Sequence, residues 1–239
     1  MTWPLLLTPF LPLLTLVPGG QWALPLVAPL TLWFAFRDRV KEGDYLRAWT
    51  LGIAWAFLLS LGVIVLVLWM PEAARAGILH GETYRQEMFG WISTGAGREN
   101  DPAAFIPQHL LHLAIFVVLT WATGGYLGLA LGAALVAYMS YFVGSYAAAS
   151  GHPFLGSVAA WVPWSVLRVC AFVLLGALFA RPLLVRRVLP FGHRPFGGRE
   201  YRLMALALSG ILADIAIKAL SAPAYGRFLR QMARSAGLG

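Results

Sequence analysis

Charged side chains are scarce in this sequence. They make up only 12% of its 239 residues, whereas soluble proteins carry roughly 25%. Hydrophobic residues make up 59%, and they come in runs of about 15 to 24 residues, long enough to cross the bilayer core as helices. A soluble domain of this size could not bury such runs on every side. The composition therefore excludes a soluble globular protein and predicts an all-α polytopic membrane protein.

Cysteine is scarce as well, and basic residues are missing from the N-terminal part of the sequence. The single cysteine, Cys170, excludes an internal disulfide. No Lys or Arg precedes Arg37, so the basic region of a cleaved signal peptide is missing and residues 1–36 are predicted to belong to the mature structure. The net charge of +8 does not indicate nucleic-acid binding, because the cations lie in short segments beside apolar runs, as in loops that face anionic lipid. We expect the lipid bilayer as a partner and no nucleic acid.

The apolar runs predict a single transmembrane domain over residues 1–239, built as a bundle of six to seven helices around a polar segment at 71–107. Prolines in the first two runs make long regular helices costly, so these runs form either two short or irregular passes or one kinked pass. The predicted spans are approximately 3–17, 21–36, 48–70, 108–123, 126–148, 157–180 and 203–220.

The distribution of basic residues orients these spans. Segment 181–202 carries six arginines against one glutamate, and segment 37–47 carries four basic residues. The positive-inside rule places both in the cytoplasm and segment 71–107 outside, which is the arrangement of a multi-pass protein of a bacterial-type inner membrane. The basic tail that follows 203–220 then falls outside, so either that helix is re-entrant or the tail lies along the outer head groups.

The polar residues concentrate between His80 and His112. A helix is predicted over 77–93, with an apolar face for the membrane interface and His80 and Glu87 on one flank. In the functional interpretation Glu82 and Glu87 are acid/base groups and Arg85 binds an anion. In the alternative, the segment is an amphipathic helix that rests on the head groups.

His109 and His112 lie three residues apart at the start of a predicted span, so they share a helix face. Neutral imidazoles at this spacing can hold zinc or another divalent metal, with Glu87 or Asp101 as a third ligand. In the alternative, both histidines are hydrogen-bonded or interfacial and hold no metal.

One short motif allows a comparison with a known family. Phe105 and His109 fit the FxxxH motif of the CAAX-type intramembrane proteases, and the segment from Glu82 to Arg85 resembles part of their paired-glutamate motif. Glu82 has no adjoining glutamate, however, and His152 lacks the Asn or Asp partner that the family carries. The sequence is therefore not assigned to that family.

Arg168, Asp214 and Lys218 are the ionisable residues that lie deepest in the predicted spans. Charges at this depth usually face a bundle interior or a cavity and pair with one another. Asp214 and Lys218 are four residues apart and can pair along one helix, and Arg168 could compete for Asp214. They form either a structural clasp, a proton or ion path, or an anionic head-group site.

Small residues recur every fourth position at Gly124, Gly128 and Gly132, and again at Ser140 and Gly144. This spacing predicts close packing between helices of one chain, and a homo-oligomer through the same faces is the alternative.

Two classes of function follow. The first is a membrane-embedded hydrolase or transferase, metal-dependent in one version, that acts on a lipid-linked or membrane-protein substrate at an outward-facing site. The second is a non-catalytic transporter or complex scaffold with Arg168, Asp214 and Lys218 as its polar core. The concentration of acidic, basic and histidine side chains in one segment favours the first.

Overall fold

A computed structural model describes residues 3–185 and 196–235, with side chains to residue 233 in the second range. Every regular element within these ranges is helical, and none is a strand, so the all-α prediction is confirmed. The α-helices are α1 (Gly20–Val27), α2 (Leu30–Glu42), α3 (Tyr45–Trp69), α4 (Pro71–Gly77), α5 (Gly81–Thr94), α6 (Pro102–Thr123), α7 (Tyr126–Ala149), α8 (Pro153–Ala160), α9 (Pro163–Leu184) and α10 (Gly198–Ser235). Trp3–Leu16 and Arg98–Asn100 form 3-10 helices.

Five helices are long and apolar enough to cross a membrane, namely α3, α6, α7, α9 and α10. The predicted span 157–180 is divided, because α8 ends at Ala160 and Pro163 begins α9. The predicted span 21–36 is likewise divided between α1 and α2 at Pro29. Proline cannot donate the backbone hydrogen bond that a continuous helix needs at these points. The sixth and seventh passes stay a prediction.

The N-terminal 3-10 helix packs against the bundle. It contains Pro9 and Pro12, so the irregularity predicted from its prolines is confirmed. A Cβ added at Gly62 of α3 would lie 2.2 Å from the Pro9 carbonyl oxygen. The hydroxyls of Thr8 and Thr31 also form a hydrogen bond of 2.9 Å. The segment is therefore part of the folded core of the bundle.

The connections lie at two ends of the bundle, in the pattern that the charge distribution predicts. At one end Tyr45, beside the α2–α3 turn, donates a hydrogen bond of 3.0 Å to Glu200 at the start of α10. At the other end, residues 71–107 lie with α8 and the last turns of α10, where Tyr225 donates to the Ala159 carbonyl oxygen at 2.8 Å.

Helix α10 explains the position of the basic tail. It is continuous over 38 residues, which is about 57 Å at 1.5 Å per residue and exceeds the roughly 30 Å hydrocarbon layer. Its last turns therefore extend beyond the span, and Tyr146 of α7 donates a hydrogen bond of 2.7 Å to the Leu229 carbonyl oxygen. The described part of the tail lies at the same end as 71–107, and α10 does not turn back.

The predicted helix over 77–93 is wrong at its start. Residues 78–80 separate α4 from α5, and His80 has a left-handed backbone with φ of 58°. His80 therefore does not share a helical flank with Glu87. The apolar face of α5 packs on protein, since Met88 and Trp91 are each only 1% exposed. Amphipathicity in this segment reflects contact with the bundle, mainly with α7.

The small-residue spacing predicts close packing correctly at two positions. A Cβ at Gly128 would lie 2.0 Å from Thr120 Oγ1 on α6, and a Cβ at Gly144 would lie 2.8 Å from Val67 Cβ on α3. At Gly132 an added Cβ would meet no atom within 4 Å. The prediction is therefore wrong at Gly132, which borders open space. Self-association through these faces stays a prediction.

Candidate functional site

Glu82 and Arg85 form an ion cluster among α4, α5 and α7. Arg85 donates two hydrogen bonds to the Glu82 carboxylate, at 2.6 and 2.9 Å, and Tyr141 donates a third at 3.1 Å. The Nε atom of Arg75 lies 3.8 Å away. The Arg85 hydrogen bonds, with those from Gln86 and Tyr141, lower the pKa of Glu82 to about 2. Two of the three predicted catalytic residues, Glu82 and Arg85, therefore bind each other.

The lowered pKa gives Glu82 a pH-dependent contribution to stability. An unfolded glutamate titrates near 4.5, so the ionised cluster stabilises the fold above that pH and loses its effect as the pH falls toward about 2. We expect Glu82→Gln to lower the unfolding midpoint in detergent at about pH 6, and the gap from wild type to shrink by about pH 3. Glu87→Gln is the control, because its carboxylate is 3.9 Å from Arg98 and largely exposed. An equal gap at both pH values would contradict this assignment.

A polar cavity of about 60 Å³ lies near the end of the bundle that holds residues 71–107. We call it the chamber. It is lined by residues of α5, α6, α7, α9, α10 and the 3-10 helix Arg98–Asn100. An apolar cavity of about 80 Å³ adjoins it between α6, α7 and α9. The chamber is lined by Tyr84, Glu87, Arg98, Glu99, Phe105, Gln108, His109, His112, Tyr138, Met139, Trp164, Ser165, Arg168 and Lys218.

An ion pair between α9 and α10 borders the chamber. Arg168 Nε and Nη2 donate to the two Asp214 carboxylate oxygens at 2.8 and 2.9 Å. Asp214 is fully buried, whereas the Arg168 side chain is 23% exposed, because it also lines the chamber. Within the described residues no hydrogen bond uses Arg168 Nη1. This guanidinium can therefore hold Asp214 and still donate to a molecule in the chamber.

Lys218 does not pair with Asp214, so the predicted contact along one helix is wrong. Its Nζ atom instead donates to Glu99 Oε1 at 2.9 Å and lies 4.4 Å from the centre of the Phe105 ring. Both carboxylate oxygens of Asp214 already accept a hydrogen bond from Arg168. The 3-10 helix that contains Glu99 is thereby joined to α10.

His109 belongs to the polar segment between His80 and His112, but it lies beside Asp214, one of the deep ionisable residues. It therefore connects two sets of residues that are far apart in the sequence. Its Nδ1 atom lies 2.8 Å from the Phe105 carbonyl oxygen, which can only accept, so Nδ1 carries the hydrogen. Its Nε2 atom lies 3.9 Å from Asp214 Oδ2. Nε2 is buried and has no hydrogen-bond partner within the described ranges. In the neutral ring Nε2 is an acceptor, and the His109 side chain lines the chamber.

The predicted metal set does not assemble in the described part of the chain. His109 and His112 both line the chamber, but no group of three or more His, Cys, Asp or Glu residues there could hold a metal. Asp101 instead caps α6 by accepting a hydrogen bond of 3.0 Å from the Ala103 amide. Glu87 faces Arg98. Among the described residues the zinc interpretation therefore has no third ligand.

Sequence reasoning missed several polar residues of the chamber. Tyr84 Oη, Tyr138 Oη and Ser165 Oγ line it, and within residues 3–185 and 196–235 none of them makes a hydrogen bond to protein. Burial raises the pKa of Tyr84 well above its usual value, so it is a neutral donor. Ser165 could have been found, because it lies three residues before Arg168 and so shares its helix face. Tyr84 gave no signal, because it lies at helical spacing from Met88 and Trp91 and so belongs to the apolar stripe of the segment.

Polar groups near protein interiors normally have hydrogen-bond partners. Several unused donors and acceptors around one space therefore indicate a site that holds water or a polar ligand. In comparisons with known proteins, no family model, curated protein or solved structure matches this chain, so its function has to be inferred from the chamber itself.

Proposed function

We propose that this chain is a membrane-embedded hydrolase or transferase whose reaction takes place in the chamber, with His109 as general base. The observation that carries the proposal is the buried Nε2 atom of His109, which has no partner in the described residues although its tautomer is set by the Phe105 carbonyl. A histidine held through one nitrogen with the other free at a cavity wall is the arrangement that general-base catalysis uses.

The surrounding groups supply the remaining roles. His109 Nε2 takes the proton from a water molecule or a substrate hydroxyl as its oxygen attacks the carbonyl carbon or phosphorus of the substrate. Asp214, 3.9 Å away, stabilises the resulting imidazolium, which returns the proton to the leaving group as the bond to that group breaks. Arg168 Nη1 donates to an anionic oxygen of the substrate. Glu82 and Arg85, engaged with each other, hold α5 in place, and Glu87 and Arg98 form part of the chamber wall.

The size of the chamber restricts the substrate. About 60 Å³ accommodates several water molecules or a small polar group, since roughly 10–15 Å³ on this measure holds one water molecule. An acyl chain or a folded domain has to stay outside. We infer a lipid-linked or membrane-protein substrate that presents only its reactive group. The positive-inside rule places the chamber on the extracytoplasmic side of the membrane.

The test compares wild-type protein with His109→Gln in vesicles of a bacterial polar lipid extract. Mass spectrometry of the head groups should reveal a product with wild type, formed about 100-fold or more slowly by the variant, as for loss of a general base. His152→Gln is the control, because His152 immediately precedes α8 and does not line the chamber. Equal product with wild type and His109→Gln would contradict the role of His109.

A non-catalytic transporter or scaffold is the second candidate. The observation in its favour is that Arg168 is paired with Asp214 and Lys218 with Glu99, as in a structural clasp. On this proposal the lipid composition stays unchanged with wild type, and Asp214 and Lys218 variants lower stability alone. The vesicle experiment therefore separates the two candidates.

A further inference from the structure

Another cavity opens between α3, α9 and α10, on helices that are long and apolar enough to cross a membrane. We call it the lateral cleft. Its volume of about 530 Å³ falls within the roughly 300–1,000 Å³ range of ligand pockets. Leu46 and Leu206 line it and are 68% and 63% exposed, and Trp49 and Leu174 add to its apolar wall. Its surface suits an acyl chain.

One charged residue, Arg199, lines the lateral cleft. Its Cζ atom lies 5.8 Å from the centre of the Tyr45 ring, and no ion pair or hydrogen bond to another described residue involves its guanidinium. The neighbouring carboxylate, Glu200, is already held by Arg181 at 2.9 Å and by the Tyr45 hydroxyl at 3.0 Å. Arg199 is therefore a cation without an anion beside an apolar cleft.

The position of Arg199 matches the geometry of a lipid. It lies in the first turn of α10, at the end of the bundle that holds the turn between α2 and α3, whereas Leu206 lies about two turns further into the helix. A head group at Arg199 would therefore have its chain beside Leu206. Arginine binds phosphate oxygens through paired donors, and its charge attracts anionic head groups.

We propose that the lateral cleft binds an anionic phospholipid, with the phosphate on Arg199 and an acyl chain along α10. Arg199 belongs to the segment 181–202, whose composition of six arginines against one glutamate favours contact with anionic lipid. The proposal does not depend on the reaction in the chamber, because no residue lines both spaces.

The experiment measures the unfolding temperature of the full chain in neutral detergent with added phosphatidylglycerol or phosphatidylcholine. Phosphatidylglycerol should raise the unfolding temperature of wild type more than phosphatidylcholine does. Native mass spectrometry should show at least tenfold tighter binding of phosphatidylglycerol. Arg199→Gln should abolish both differences, and Arg199→Lys should retain part of them because it keeps the charge.

Arg47→Gln is the matched control, since Arg47 is an arginine at the same end that pairs with Asp44 at 3.3 Å and does not line the cleft. It should leave the preference for phosphatidylglycerol unchanged. Equal binding of the two lipids by wild type, or an equal loss in Arg47→Gln and Arg199→Gln, would overturn the proposal. A dimer that persists at all lipid concentrations and dissociates in Leu206→Lys would assign the cleft to a second copy of the chain instead.

Discussion

Replacing Asp214 with asparagine should lower the free energy of unfolding by about 3 kcal/mol. Removing one partner of a buried ion pair typically costs about 3–5 kcal/mol, because the remaining charge stays buried without compensation. The lower end applies because Arg168 is 23% exposed where it borders the chamber. Asparagine keeps the shape of the side chain, so the loss reflects charge rather than packing. The measurement is unfolding by dodecyl sulfate in mixed micelles.

Two further variants make this result specific. The double variant Arg168→Leu/Asp214→Leu should recover much of the stability, because removing both charges removes the uncompensated one. Asp38→Asn should change the free energy by less than about 0.5 kcal/mol, since its ion pair with Arg37 is 3.4 Å long and exposed. A loss in Asp214→Asn no larger than that in Asp38→Asn would show that Arg168 does not depend on its partner.

Gly128→Ala should be the second strongly destabilising change. The added Cβ would lie 2.0 Å from Thr120 Oγ1 and 3.3 Å from the Thr120 Cα atom, so α6 and α7 would have to separate rather than only turn a side chain. Overpacking of this kind costs typically about 1–3 kcal/mol. The free energy of unfolding in mixed micelles measures it directly.

Gly132→Ala is the matched control one helical turn further along α7. Its added Cβ meets nothing within 4 Å, and alanine has the higher helix propensity by about 1 kcal/mol. We therefore expect no loss of stability, or a small gain. A similar loss at both positions would mean that alanine on this face of α7 is unfavourable for a reason other than contact with α6.

The sequence predicted those features that depend on one helix or on bulk composition. Long apolar runs predicted α3, α6, α7, α9 and α10 as spanning helices. The depth of Arg168 and Asp214 predicted a polar contact, because charges in apolar surroundings require partners. The distribution of arginines predicted which connections share an end of the bundle.

The remaining features depend on contacts between distant parts of the chain. Glu99 and Lys218 are 119 residues apart, and spacing along one helix carries no information about such a pair. The apolar face of α5 was assigned to the membrane interface, since a hydrophobic stripe predicts burial but not whether lipid or protein covers it. Metal binding stayed open as one of two interpretations of His109 for a similar reason, because its neighbour Asp214 on α10 is set only by tertiary packing.

The position of α10 in the chain has a consequence for biosynthesis. During synthesis, the segment with Glu99 and helix α9 with Arg168 are made before Asp214 and Lys218. Until α10 arrives, these two charges have only water or lipid head groups as partners, which makes the incomplete bundle costly to hold in an apolar layer. Docking of α10 neutralises both at once. The chamber is therefore complete only after α10 has docked.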